Sequence, residues 1–175
     1  MNALKKLTVA MALTASFGAA AITAEEFSQL SPQEALEMAH TWHQTGDASV
    51  SILPDVLNAT LPSGEEVAIP LEDEYLLSIA PYINRSHGCT YHVPTGCQGE
   101  MVEEELHLSI TDVNTGEEIM NGMVTTQKDG FIDFWMPRDG EYKFTFHKGN
   151  LMAQEVLKTS GNARTCITTM QLVAM

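Results

Sequence analysis

The segment "HGCTYHVPTGCQGE", residues 87–100, holds two of the chain's three cysteines, Cys89 and Cys97, together with His87 and His92. The third, Cys166, lies in the closing "ARTCITTMQLVAM". Thiolates and imidazoles are donors that soft and borderline metal ions select, with Cu(I) favoured by sulfur and zinc as its competitor. Two neighbouring thiols can instead close a disulfide, and a thiol pair that does so gives up electrons. "VPTG" is a turn sequence, and Cys89 and Cys97 are equidistant from Val93. A hairpin centred there would oppose the two cysteines, with Cβ atoms ~4.5–5.5 Å apart. His92 would lie on the turn side, able to fold back over the pair, and His87 would share the side of Cys89. Cys166 would sit in a last strand, on one face with Thr168, Met170 and Leu172.

Other donors carry weaker signals. Structural zinc sites commonly use two closely spaced ligand pairs, and none is present. The chain also lacks the C-x-x-C motif and βαβ pattern of a thioredoxin-like oxidoreductase. His40 and His43 would share a helix face as a metal pair or, more simply, as boundary residues. Met120, Met123, Met136 and Met152 offer thioethers, but methionines in strands are ordinarily core filler. Met170 is set apart only by sharing the face of Cys166. Glu103, Glu104 and Glu105 read as an exposed strand start.

The compartment follows from the first residues. "MNALKK" and "LTVAMALTASFGAAA" form the basic and apolar regions of an export signal over residues 1–24, with cleavage after Ala21 or Ala24. The apolar run is too short to span a bilayer. The chain has 23 acidic against 9 basic residues, two of the latter in the leader. Such a surface repels nucleic acid and anionic membrane. In an oxidising compartment cysteines pair, so an odd number leaves one thiol over, or belongs to a three-sulfur site.

The elements that must position these residues are mainly strands. "LSPQEALEMAHTWHQTGD" reads as one helix over 32–45, with Ser31 as N-cap, Pro32 at N1 and Glu34 completing a capping box. "SVSIL", "LNATL" and "EVAIP" are short strands, and the apolar "YLLSIAPYI" is a central one. From residue 101 onward, alternating strands joined by "NTGEE", "KDG", "RDGE" and "GN" turns indicate an antiparallel β-sandwich. Its spacing resembles the transthyretin-type and carboxypeptidase-regulatory-type sandwiches. The expected organisation is thus mainly β with an N-terminal helix: a helix with short strands over 25–72, then a β-sandwich over 73–175 carrying the cysteines.

Four stretches, "YLLSIAPYIN", "HGCTYHVPTGCQGE", "GFIDFWMPRDGEY" and "TCITTMQL", resemble the CueP family of periplasmic copper-binding proteins. The resemblance implies a periplasmic protein that binds copper through Cys89, Cys97 and Cys166, with His92 matching the family's histidine between the first two. It implies a part in copper resistance and delivery of copper to periplasmic acceptors such as a copper-dependent superoxide dismutase. It further implies Cu(II) reduction coupled to thiol-disulfide chemistry, as the one enzymatic expectation, and is compatible with a homodimer. The rival from residues alone is a β-sandwich interaction module in which Cys89 and Cys97 form a staple and no metal is bound.

Overall fold

The computed structural model describes residues 22–175; the export signal expected over residues 1–24 lies almost wholly outside the described residues. Helices α1 (Ala24–Ser28) and α2 (Pro32–Thr41) each start on a capping box, Thr23 with Glu26 and Ser31 with Glu34. In each, the cap hydroxyl and the third-residue carboxylate satisfy amides that the first helical turn leaves unpaired. Helix α2 buries Ala35, Leu36 and Ala39. It stops four residues short of the expected end because the chain beyond it turns away: Gln44 adopts φ 56° and its amide donates to Thr95 O at 2.9 Å.

Strands β1 (Ser49–Ile52), β2 (Val56–Thr60) and β3 (Glu66–Pro70) form an antiparallel meander. Alternation turns Val50, Ile52, Leu57, Ala59 and Ile69 toward the two helices, where they pack with Phe27 and Leu36. Strand β4 (Glu74–Ile79) is the middle of a second sheet, between the antiparallel β7 (Ile132–Pro137) and the two-residue β10 (Cys166–Ile167), which runs parallel to it. Being covered on both faces explains its unbroken apolar sequence. It gives Leu76 to the N-terminal core and Tyr75, Leu77 and Ile79 to the larger one.

The third sheet has the order β11-β9-β8-β5-β6, built from β5 (Glu105–Asp112), β6 (Glu118–Thr125), β8 (Glu141–Lys148), β9 (Leu151–Lys158) and β11 (Val173–Ala174). All its pairs are antiparallel. Its inner residues, among them Leu106, Leu108, Ile110, Phe144 and Phe146, meet the second sheet across the main core. Each large apolar side chain fully buried there contributes about 1.5–3 kcal/mol. The result is the mainly-β sandwich with N-terminal helix that the sequence indicates, with one parallel pair added. The stretch 166–174 is not one strand: residues between β10 and β11 leave the ladder to pair with Tyr82, whose carbonyl accepts Leu172 N at 2.7 Å and whose amide donates to Met170 O.

Candidate metal centre

Residues between β4 and β5 carry the first two thiols, and no hairpin forms there. The amides of Gly96 and Cys97 both donate to Val93 O, at 2.9 and 2.7 Å, so the chain turns tightly over residues 93–97 instead of reversing symmetrically about Val93. Pro94 has no amide to give a ladder. The loop's other polar groups find distant partners. His92 bridges to Ile52 of β1, its carbonyl accepting Ile52 N at 2.8 Å and its amide donating to Thr165 Oγ1 at 2.9 Å. The Thr165 hydroxyl in turn donates to Ile52 O, and Thr90 O accepts both Thr165 N and Cys166 N. Thr168 Oγ1 donates to His87 O at 2.6 Å. The loop is therefore pinned between β1 and the last segment of chain, which brings Cys166 to Cys89 and Cys97.

Register does the rest. Cys166 pairs with Ser78 in the parallel β10–β4 ladder, and its wholly buried side chain packs with Ala80 and Phe131, against which Cys89 and Cys97 also rest. Ligand atoms of His87, Cys89, Cys97 and Cys166 all lie within 4.8 Å of one another. The Cys89 and Cys97 sulfurs are 3.8 Å apart, and all three cysteines are free thiols. At the ~2.3 Å metal–sulfur distance of zinc thiolate sites, an ion centred in a trigonal sulfur set needs sulfurs roughly 4.0 Å apart. The pair already meets that spacing without rearrangement.

The electrostatics of the three thiols are unequal. Cys97 is pulled down to about 3, foremost by the hydrogen bond that the Cys166 thiol gives it and further by His92, against the opposing effect of burial. Cys166 is pushed up, first because it is that donor to Cys97 and then by burial. Cys89 is pushed up chiefly by burial; its thiol donates to Tyr91 O at 3.3 Å. One negative charge is thus shared in the cluster and centred on Cys97. This is the arrangement that makes a thiol nucleophilic and ready for a soft cation.

His92 and His87 sit differently from the expectation. His92 is outside the group of four: its ring is fully buried, lies on Phe131 with centroids 4.6 Å apart, and leaves both nitrogens without a hydrogen-bond partner. An orphaned buried polar group costs about 1–3 kcal/mol, a cost that a thiolate or metal neighbour relieves. His87 is exposed and joins the three sulfurs as a fourth donor that the sequence pattern does not single out. Its placement depends on the long-range bond from Thr168, which no local pattern reveals.

The remaining candidates disperse. His40 Nε2 reaches Asp133 Oδ2 at 2.9 Å and its Nδ1 lies 3.5 Å from Asp129, while His43 bonds Pro94 O and Gln98, so the two do not form a metal pair. Asp133 is pushed up by burial, but the His40 hydrogen bond, with further help from His92 and Ser78, holds it below the usual carboxylate range. Asp129 is raised, mainly by burial. Met170 packs with Ile167 and Leu172 in the main core and not with the thiols; Met136 is buried in that core and Met120 rests against it. Among the described residues no helix is long and apolar enough to cross a membrane.

Comparison with known proteins identifies the family. The fold is similar to the crystal structure of S. CueP, with a TM-score of 0.70 and 30% identity over 78% of this chain and 87% of that one. No curated protein matches the chain. The family described as "Periplasmic copper-binding protein CueP" matches residues 33–171, a span that includes the pinned loop and all three thiols. The chain belongs to the CueP family of periplasmic copper-binding proteins.

Proposed function

We propose that Cys89, Cys97 and Cys166 hold one Cu(I) ion as a three-thiolate site, and that the protein sequesters copper in the periplasm for resistance and onward transfer. The observation that carries this reading is the meeting of Cys166, from the far end of the chain, with the loop thiols and His87 inside 4.8 Å. Three soft anionic donors around a monovalent soft ion are the chemistry that selects Cu(I) over harder cations. Cys97 supplies a thiolate before metal arrives. His92, behind Cys97, serves as an auxiliary donor that offsets its charge. His87 and the half-buried Cys89 and Cys97 form the open side, through which ligand exchange could pass copper to an acceptor such as a periplasmic superoxide dismutase.

Reduction of Cu(II) at the same site is balanced by the thiols themselves. Two Cu(II) ions each gain one electron as the Cys97 thiolate and the Cys89 thiol join in a disulfide, with Cys89 releasing the one proton between them. The contact distance of 3.8 Å makes these two the natural pair.

Alkylation of the reduced protein with and without one equivalent of Cu(I), followed by mass measurement, tests the site. In the folded protein the half-buried Cys89 and Cys97 are expected to be labelled without metal and shielded with it, while the buried Cys166 is labelled only on unfolding. Free labelling of Cys166 in the loaded protein, once unfolded controls show that it can react, would overturn the three-sulfur reading.

A further inference from the structure

Behind the thiol loop lies a block of buried charge that the thiol chemistry leaves unexplained. His40, near the end of α2, turns one ring nitrogen to each of two carboxylates: Nε2 is 2.9 Å from Asp133 Oδ2 of β7, and Nδ1 is 3.5 Å from Asp129 Oδ2 in the turn before β7. Asp129 is 2% exposed, and its Oδ2 has no hydrogen bond of its own. Both aspartates also brace the walls of the thiol site. Asp133 Oδ1 accepts from the hydroxyl of Ser78, the residue that pairs with Cys166 in the parallel ladder of β4 and β10. Asp129 Oδ1 accepts Phe131 N at 2.9 Å, which places the ring on which His92 lies. The Asp129 backbone carbonyl accepts Gly99 N at 2.6 Å, two residues past Cys97. Three residues beyond His40, His43 reaches Pro94 O of the same loop at 2.9 Å.

We propose that His40 is a positioning residue for the copper site: its imidazolium, held between Asp129 and Asp133, offsets the charge of the two carboxylates that brace the Cys97 loop and the Cys166 strand, and so favours loading of the thiols with Cu(I). On the three-thiolate reading, on which this role rests, the empty cluster carries one negative charge, centred on Cys97. Three thiolates around a monovalent cation carry two. Loading therefore adds one negative charge beside two buried carboxylates, and the His40 cation stabilises the loaded cluster more than the empty one. One unit charge acting on another at roughly 10 Å, in a medium of effective dielectric ~20, changes an equilibrium constant about 10-fold. The other ionisable groups around the ring are Glu37 of its own helix, His43 and the exposed Lys128 at the rim of the cavity that His40 and Asp129 share, and His92 on the thiol side, which acts on both aspartates. Burial disfavours the charged ring, but Asp133, Asp129 and Glu37 together outweigh it and hold His40 above the ordinary histidine range.

Linkage supplies a readout that a merely structural contact would not move. If the His40 cation favours loading about 10-fold, loading must raise the His40 titration midpoint by about one pH unit. Cu(I) has a closed shell, so the His40 ring resonances can be followed through a pH titration of the reduced full chain under anaerobic conditions, first empty and then with one equivalent of Cu(I). The midpoint is expected to move up by about one unit; a midpoint that stays or falls overturns the proposal. At most about half a proton is then taken up at His40 while two leave the thiols, and only between the two midpoints. His40→Gln keeps an amide donor for Asp133 without the charge, and is expected to bind Cu(I) about 10-fold more weakly near neutral pH in competition with a chelator. Adding Asp129→Asn removes one opposing charge and is expected to restore the affinity. If the double variant binds more weakly still, the contact is structural and the charge has no part in loading. Protection of Cys89 and Cys97 from alkylation reports separately on the thiols: a site that loads while His40 stays unmoved refutes this role alone, whereas loss of protection refutes the three-thiolate reading and this role with it.

Discussion

Proton release on copper loading tests the thiol site most directly. Cys97 is held far below the ordinary thiol range, so it is a thiolate near neutral pH, whereas Cys89 and Cys166 are pushed above that range and keep their protons. Binding Cu(I) to three thiolates therefore displaces two protons near neutral pH, not three. The apparent association constant should rise about 100-fold per pH unit, equivalent to ~2.7 kcal/mol, and fall as steeply on acidification. Cys166→Ser removes one of the two protons, so its dependence should drop to about 10-fold per unit, with weaker binding throughout. Serine is the informative replacement because its hydroxyl can still donate to Cys97 and keep that sulfur ionised. Competition against a chromophoric Cu(I) chelator over roughly pH 6 to 8, corrected for the chelator's own protonation, reads both slopes. A wild-type slope near 1000-fold per unit would mean that Cys97 is not ionised beforehand. An unchanged affinity and slope in Cys166→Ser would remove the third sulfur from the site.

Three further outcomes are expected. A Cβ on Gly99 would stand 2.6 Å from Gly130 O, so Gly99→Ala should destabilise the fold by about 1–3 kcal/mol and lower the melting temperature by a few degrees, whereas Gly88→Ala, which meets nothing within 4 Å, should not; equal melting curves would refute the close approach. His92→Leu removes one of the groups that lower Cys97, so the pH midpoint of Cys97 alkylation should move up, and a midpoint that stays or falls would show that the ring does not act on that sulfur. We propose that the leader expected over the first residues is cleaved after Ala21 rather than Ala24, because Thr23 caps α1 and Ile22 and Ala24 pack on the N-terminal core; the mass of the exported protein decides, and an uncleaved chain or one beginning at Glu25 would contradict it.

What the sequence made legible was local. The capping box of α2, the apolar run of β4 and the Gly-bearing turns between β5 and β9 each act through neighbouring residues, and they appear where their signals stand; the Thr23–Glu26 box of α1 falls partly in the stretch read as an export signal and was not among them. What it hid was long-range. The "KDG" turn looks like another hairpin, yet the chain there crosses sheets: β7 pairs with β4, and β8 returns to β5. The cysteine loop looked like a hairpin because its turn residues and symmetry were visible, while the partners that claim its backbone, Ile52, Thr165 and Thr168, are far away in sequence. The donor types were readable from composition and family resemblance. That His87, not His92, stands within 4.8 Å of all three sulfurs was not, since it depends on those same distant bonds.

On the function proposed above, storage and reduction would compete for the same sulfurs. Cys97, the thiolate, is the group that attacks or donates, and Cys89 is the thiol in contact with it at 3.8 Å; Cys166 is buried and held as a thiol. Reduction therefore spends Cys89 and Cys97 and leaves Cys166 and His87 as the only donors of the original four. A chain that has just reduced two copper ions cannot hold either with three thiolates, so reductive intake and tight retention must alternate, with an external thiol reductant between them. Anaerobic addition of excess Cu(II) should yield two Cu(I) ions per protein, one Cys89–Cys97 disulfide and one remaining thiol, with the Cu(I) passing readily to a chelator. Prior reduction should restore tight binding. If the protein reduces Cu(II) while all three cysteines stay free, or if the disulfide form retains Cu(I) as strongly as the reduced one, the electrons or the ligands come from elsewhere, and the single-site account of both activities is wrong.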